Sequence, residues 1–124
     1  MSKNRVLKNT AIGLREIGFD IPMKKYYGWD DNVHSGSKIN HNDWSEYDEC
    51  YSAPTIDEVV NWLLEKHNCY IIVYPCGIEF STWYGDVRVK GERYPITHFG
   101  NKPTRSAAIS KGINLAINYI KKNI

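Results

Sequence analysis

Apolar residues recur at helical spacing in three places along the chain. Leu7, Ala11, Leu14 and Ile17 mark a first stripe and predict a helix over residues 4–17. Gly18 suits the left-handed position that ends helices, with Phe19 folding back onto the last turn. Ile56, Val60 and Leu63, widened by Val59 and Leu64, predict a second helix over 55–67. Thr55 and Glu58 stand at the spacing of a capping box, and Asn68 is a left-handed stop. Ile109, Ile113, Ala116 and Ile120 predict a third helix over 104–122, where Lys121 and Lys122 suit the negative end of the dipole.

Between the second and third helices the period drops to two. Residues 69–74 are β-rich and apolar on both faces, which predicts a central strand. Pro75, Cys76 and Gly77 make a turn, and residues 78–84 alternate with Ile78, Phe80, Thr82 and Tyr84 on one side. Val87 and Val89 then oppose Arg88 and Lys90, and residues 94–99 can extend the sheet. Residues 30–53 have no clear period, although Trp44, Tyr47 and Tyr51 are scattered through them. So long a stretch without structure is uncommon in a compact domain, so it either hides a short hairpin or is a functional or mobile loop.

The fold class expected is α+β: an N-terminal helix and long loop, then helix, three-stranded antiparallel sheet, helix. Short hairpins imply antiparallel pairing, with the helices on one face. The 124 residues make one domain, with an N-terminal helical segment at 1–29, an acidic aromatic loop at 30–53 and the α-βββ-α core at 54–124.

Charge changes this picture in one respect. Residues 29–50 carry six acids (Asp30, Asp31, Asp43, Glu46, Asp48, Glu49) against Lys38 alone, while the remainder carries 15 bases and 8 acids. A basic body with an acidic loop fits a polyanion, or a loop that partly covers that body. No stretch approaches the ~20 apolar residues of a membrane span. Near the start, Val6 and Leu7 give way at once to Lys8, unlike a secretory apolar region. A cytoplasmic protein with reduced thiols is expected, a Cys69–Cys76 bridge across a hairpin being the alternative.

Candidate chemistry is sparse. His34 and His41, near Asp30, Asp31 and Asp43, match no structural zinc spacing and read as a polar loop. The adjacent pairs Asp48-Glu49 and Asp57-Glu58 are not the separated carboxylates of acid–base catalysis. No phosphate-cradling glycine loop and no nucleophile elbow is present. No catalytic residue, metal or cofactor is therefore expected.

Two basic groupings remain. Lys102 and Arg105 bracket the start of the third helix, where cations oppose the dipole and free amides favour anions; Lys111 adds charge two turns on. At 100° per residue, Arg105 and Lys111 stand about 120° apart and form no single stripe. Trp83, Arg88 and Lys90, with Arg93 nearby, place an aromatic ring and cations on a sheet, as single-stranded nucleic acid is often held. Solvated surface charge explains the first group equally, and cross-strand packing with snorkelling bases the second.

Two stretches carry a resemblance. Arg15-Glu16-Ile17-Gly18-Phe19-Asp20-Ile21-Pro22 with Tyr26-Tyr27, and Ser52-Ala53-Pro54-Thr55 with Val59-Val60-Asn61-Trp62-Leu63-Leu64-Glu65-Lys66-His67, together resemble a family of small uncharacterised proteins carried by bacteriophages and bacterial mobile elements. Separately, the order of residues 55–122 is similar to that of double-stranded-RNA-binding domains. Val87, Val89, Gly91 and Tyr94 are similar to the middle of that pattern, and Lys102, Arg105 and Ala107-Ala108 to its closing helix start. Pro103 and a thin lysine cluster depart from it.

The family resemblance implies a bacterial host cell as the setting. The expectation is a non-catalytic accessory protein that binds a macromolecule, nucleic acid or a host or phage protein, with a lean to nucleic acid. The alternatives are a minor virion component and a protein that sequesters a small nucleotide signal to defeat a host defence.

Overall fold

The computed structural model describes residues 5–43 and 50–123. The chain is α+β, with three helices and two antiparallel three-stranded sheets where the sequence predicts one sheet. It divides into two compact units, up to Thr55 and from Ile56 onward.

In the first unit, Arg5 and Val6 are extended. Arg5 bridges Thr55, and the Val6 amide donates to the Pro54 carbonyl at 3.1 Å. This pairing claims the residues that would have opened the first helix, so α1 runs only over Lys8–Glu16. Its end is as predicted. Gly18 has φ +89°, its amide donates to Arg15 O at 3.1 Å, and the Phe19 amide donates to Leu14 O at 3.0 Å. These two bonds satisfy the orphan carbonyls of the last turn, and Phe19 and Leu14 are both buried.

The aperiodic stretch holds no hairpin of its own among the described residues but supplies two strands, β2 (Val33–Ile39) and β3 (Tyr51–Ser52), which pair on either side of the preceding β1 (Met23–Tyr27). Asn42, in a 3-10 turn, ties the unit together. Its Nδ2 donates to Phe19 O at 3.0 Å and its Oδ1 accepts from the Ser52 amide at 2.9 Å. Tyr27 Oη donates to Val6 O at 2.6 Å, and burial pushes that phenol above the ordinary tyrosine range. The loop residues Trp44, Glu46, Tyr47, Asp48 and Glu49 lie outside the described residues.

In the second unit, α2 (Ile56–His67) leads into β4 (Cys69–Cys76), β5 (Thr82–Val89) and β6 (Thr97–Lys102), and α3 (Arg105–Lys122) closes it. The sheet order is β4-β5-β6, so the segment read from sequence as a central strand is an edge. Asn68 stops α2 at φ +53°, as expected, and its carbonyl accepts from the Lys90 amide at 2.7 Å. The predicted strand over 78–84 begins only at Thr82. Gly77 and Glu79, at φ +86° and +57°, bend the chain through a 3-10 turn first. Tyr94 is exposed and lies ahead of β6. Cys69 and Cys76 sit at the two ends of one strand, roughly 23 Å apart at 3.3 Å per residue, and are not bridged.

Helix α3 lies across all three strands, and α2 packs on β4 and α3. Thr104 Oγ1 caps α3 by accepting from the Ala107 amide at 3.1 Å. Of the predicted stripe, Ile113, Ala116 and Ile120 are buried and Ile109 is half-buried. Gly112 lets the helix come close: a Cβ there would lie 2.6 Å from Ile71 Cγ2.

Candidate nucleic-acid interface

Strand alternation assigns the faces of the second sheet. Cys69, Ile71 and Val73 pair with Val89, Val87 and Gly85, and Val87 and Gly85 pair in turn with Thr97 and Phe99. This is the side on which the helices pack, because Ile71 and Phe99 approach Gly112 of α3. The opposite side carries Tyr70, Ile72 and Tyr74 from β4, Tyr84, Asp86 and Arg88 from β5, and His98 from β6.

On that open side the aromatic rings form a row. Tyr74 and Tyr84 are 6.4 Å apart at 21°, and Tyr84 and His98 are 6.1 Å apart at 37°. Tyr84 lies over Gly100, where a Cβ would collide with its ring, and its hydroxyl donates to Asn101 Oδ1 at 3.1 Å. Asp86 stands beside the row with both oxygens engaged. His98 Nδ1 meets Oδ1 at 2.6 Å, and Arg88 Nη2 donates to Oδ2 at 3.3 Å. Desolvation raises the Tyr74 phenol above its ordinary range, and the charge of Asp86 raises it further.

The sequence-predicted residues are distributed differently from the two groupings. Trp83 is five residues from Arg88, an odd separation, so the two project from opposite faces. Trp83 instead stands in register with Lys102, on the helix side, both half-buried. Arg105 follows three residues after Lys102, exposed, as the first residue of α3, while Lys111 is exposed further along that helix. Lys90 is exposed in the turn after β5, and Arg93 lies 5.5 Å over the Tyr94 ring. Thus Trp83 joins Lys102 and parts from Arg88.

Sequence reasoning missed Asp86, His98 and the three tyrosines. The period-two runs Tyr70-x-Ile72-x-Tyr74 and Tyr84-x-Asp86-x-Arg88 were available as a signal. Their meeting depends on strand register, which no local pattern states.

In the first unit, His34 Nε2 donates to Asp30 Oδ1 at 2.7 Å, and this bond holds the Asp30 carboxyl below the usual carboxylate range. His41 is buried and stacks on Tyr26 at 4.4 Å. Among the described residues no group of three or more His, Cys, Asp or Glu is placed to hold a metal ion. No helix among them is long and apolar enough to cross a membrane.

No family model, no curated protein and no solved structure matches this chain.

Proposed function

We propose that this chain is an accessory protein of a bacteriophage or bacterial mobile element that binds nucleic acid in the host cell. One observation carries the binding: the open face of β4–β6 presents Tyr70, Tyr74 and Tyr84 with Arg88 and His98, opposite the helices. Aromatic faces and cations on an open sheet are what a nucleic-acid strand requires. Charge supports a polyanion as the occupant. Residues 56–124 hold nine Lys and Arg against six Asp and Glu. The one acid in the open-face rows, Asp86, is already engaged by Arg88 and His98. The phage or mobile-element setting rests on the resemblance of residues 15–22 and 52–67.

A second reading has its own support. Residues 56–122 run helix, three strands, helix, and Lys102 and Arg105 stand at the start of α3. A duplex RNA held as double-stranded-RNA-binding domains hold it would use that helix end instead. Fluorescence anisotropy with labelled oligonucleotides over a salt series tests binding of either kind. Log Kobs should fall linearly with log salt, by about 0.7 per phosphate contact for a single strand and about 0.9 for duplex B-DNA. Replacing Lys102 flattens the slope by about one unit only if the helix end meets phosphate. Salt-independent binding, or none at micromolar protein in low salt, overturns the proposal and favours a protein partner, whether host protein or virion component.

A further inference from the structure

Resting on that reading, we propose that Arg88 and His98, poised by Asp86, clamp one phosphodiester of a single strand whose neighbouring bases stack on Tyr74 and Tyr84. The ligand class is then single-stranded RNA or DNA, not duplex.

The clamp begins with Asp86. Its side chain is only 14% exposed, and it stands in register between Ile72 on β4 and His98 on β6. An ionised carboxylate only accepts hydrogen bonds, so the 2.6 Å contact puts a proton on His98 Nδ1. That bond fixes the imidazole plane, and the side chain remains 55% exposed. The outer nitrogen, Nε2, is left to meet a ligand, and it donates to a phosphate oxygen in the imidazolium form of the ring.

Arg88 is the less settled of the two. It meets Asp86 by one long contact of 3.3 Å, and its buried Nε has no hydrogen-bond partner. A guanidinium forms its best pairs through two parallel N–H bonds to a planar or two-oxygen acceptor. Leaving a buried donor unmatched is unfavourable, so Arg88 has something to gain from a second acceptor. A phosphodiester offers two non-bridging oxygens, so turning from Asp86 to a phosphate replaces one long bond by two good ones. Asp86 keeps His98 when Arg88 turns away, so the carboxylate is not stranded.

The rings decide the class of strand. Tyr84 is two residues from Asp86 on the same strand and face, roughly 6.6 Å along β5, and Tyr74 is its cross-strand partner. Bases in a duplex are stacked on one another and offer these rings no free face, whereas a single strand can turn its bases onto them.

The test is anisotropy with the full chain and three fluorescein-labelled probes of one sequence: single-stranded DNA, single-stranded RNA and the DNA duplex. The expected result is single-strand binding at least tenfold tighter than duplex binding. Arg88→Lys, which keeps the charge but not the two-point geometry, should lose about tenfold, and Tyr74→Leu at least fivefold. Circular dichroism melting checks that each variant is folded. The unaltered protein gives an independent readout, because the His98 imidazole resonances should shift on titration with the single-stranded probe. Binding that leaves His98 unmoved, ignores both substitutions or favours the duplex overturns the clamp while leaving nucleic-acid binding standing. Absence of binding to all three probes overturns both.

Discussion

Ile71 fills the space that a side chain on Gly112 would need: its Cγ2 lies 2.6 Å from the position of a Cβ there, with Phe99 Cζ at 3.3 Å. Two opposed effects meet in Gly112→Ala. Helix propensity gains about 1 kcal/mol, whereas overpacking a close helix–sheet contact costs about 1–3 kcal/mol. Because the obstructing atom is a β-branched methyl on a strand, it cannot swing aside. Urea unfolding should therefore show a net loss for Gly112→Ala. Combined with Ile71→Ala, the alanine at 112 should cost less than it does alone. A rise in stability for the single variant would show that α3 has room to spare.

Asn42 holds two backbone groups at once, the Phe19 carbonyl and the buried Ser52 amide. Asn42→Ala strands both, at about 1–3 kcal/mol for each one left buried and unmatched. Asn42→Asp keeps the acceptor for Ser52 but sets a carboxylate oxygen against the Phe19 carbonyl, so its loss should be larger near neutral pH than in acid, where the protonated carboxyl can donate. A loss that does not change with pH, measured by denaturant unfolding, would mean that the Phe19 contact does not matter.

Burial pushes the Cys69 thiol up to about 11. At pH 8, iodoacetamide should label the exposed Cys76 and spare Cys69 until the protein is unfolded, as peptide mass spectrometry would show. The same shift has a stability consequence. Its ordinary value is 9.0, so the unfolded chain loses this proton first, and stability falls as pH rises from about 9 to about 11. Cys69→Ala should remove that part of the alkaline slope.

Asp30 behaves with the opposite sign. Its folded carboxyl is held down by the His34 bond, so its contribution is present above the ordinary carboxylate range and is lost as pH falls through the lowered value. The melting-temperature gap between the unaltered protein and Asp30→Asn should be widest near neutral pH and close in acid. A gap that does not change with pH would assign the loss to shape, not charge.

What was legible in the sequence was local. Gly18 and Asn68 mark helix ends because a left-handed residue acts within one turn of chain. The start of α1 was not legible, because Arg5 and Val6 answer to residues 54 and 55, far along the chain. Strand β2 was equally hidden. Most of its residues are exposed, and its register against β1 slips between Met23 and Lys25, so it shows no alternation. β4 looked central because it is apolar on both faces, yet Tyr70, Ile72 and Tyr74 face the open side. The site followed the same rule. Asp86 and His98 are twelve residues apart, and only antiparallel register makes them neighbours.

The irregularity in β6 also governs where charge goes. Phe99 pairs with Gly85 and Lys102 with Trp83, so three steps along β6 match two along β5, with Asn101 in the left-handed region at φ +59°. His98 and Lys102 are four apart and would share a face on a regular strand. The extra residue sends them to opposite faces, like a crossed pair of wires. The left-handed step at Asn101 is thus a polarity inverter for everything after it: were the strand to run regularly through that residue, Lys102 would come round to the tyrosines and the start of α3 would lose its neighbouring cation.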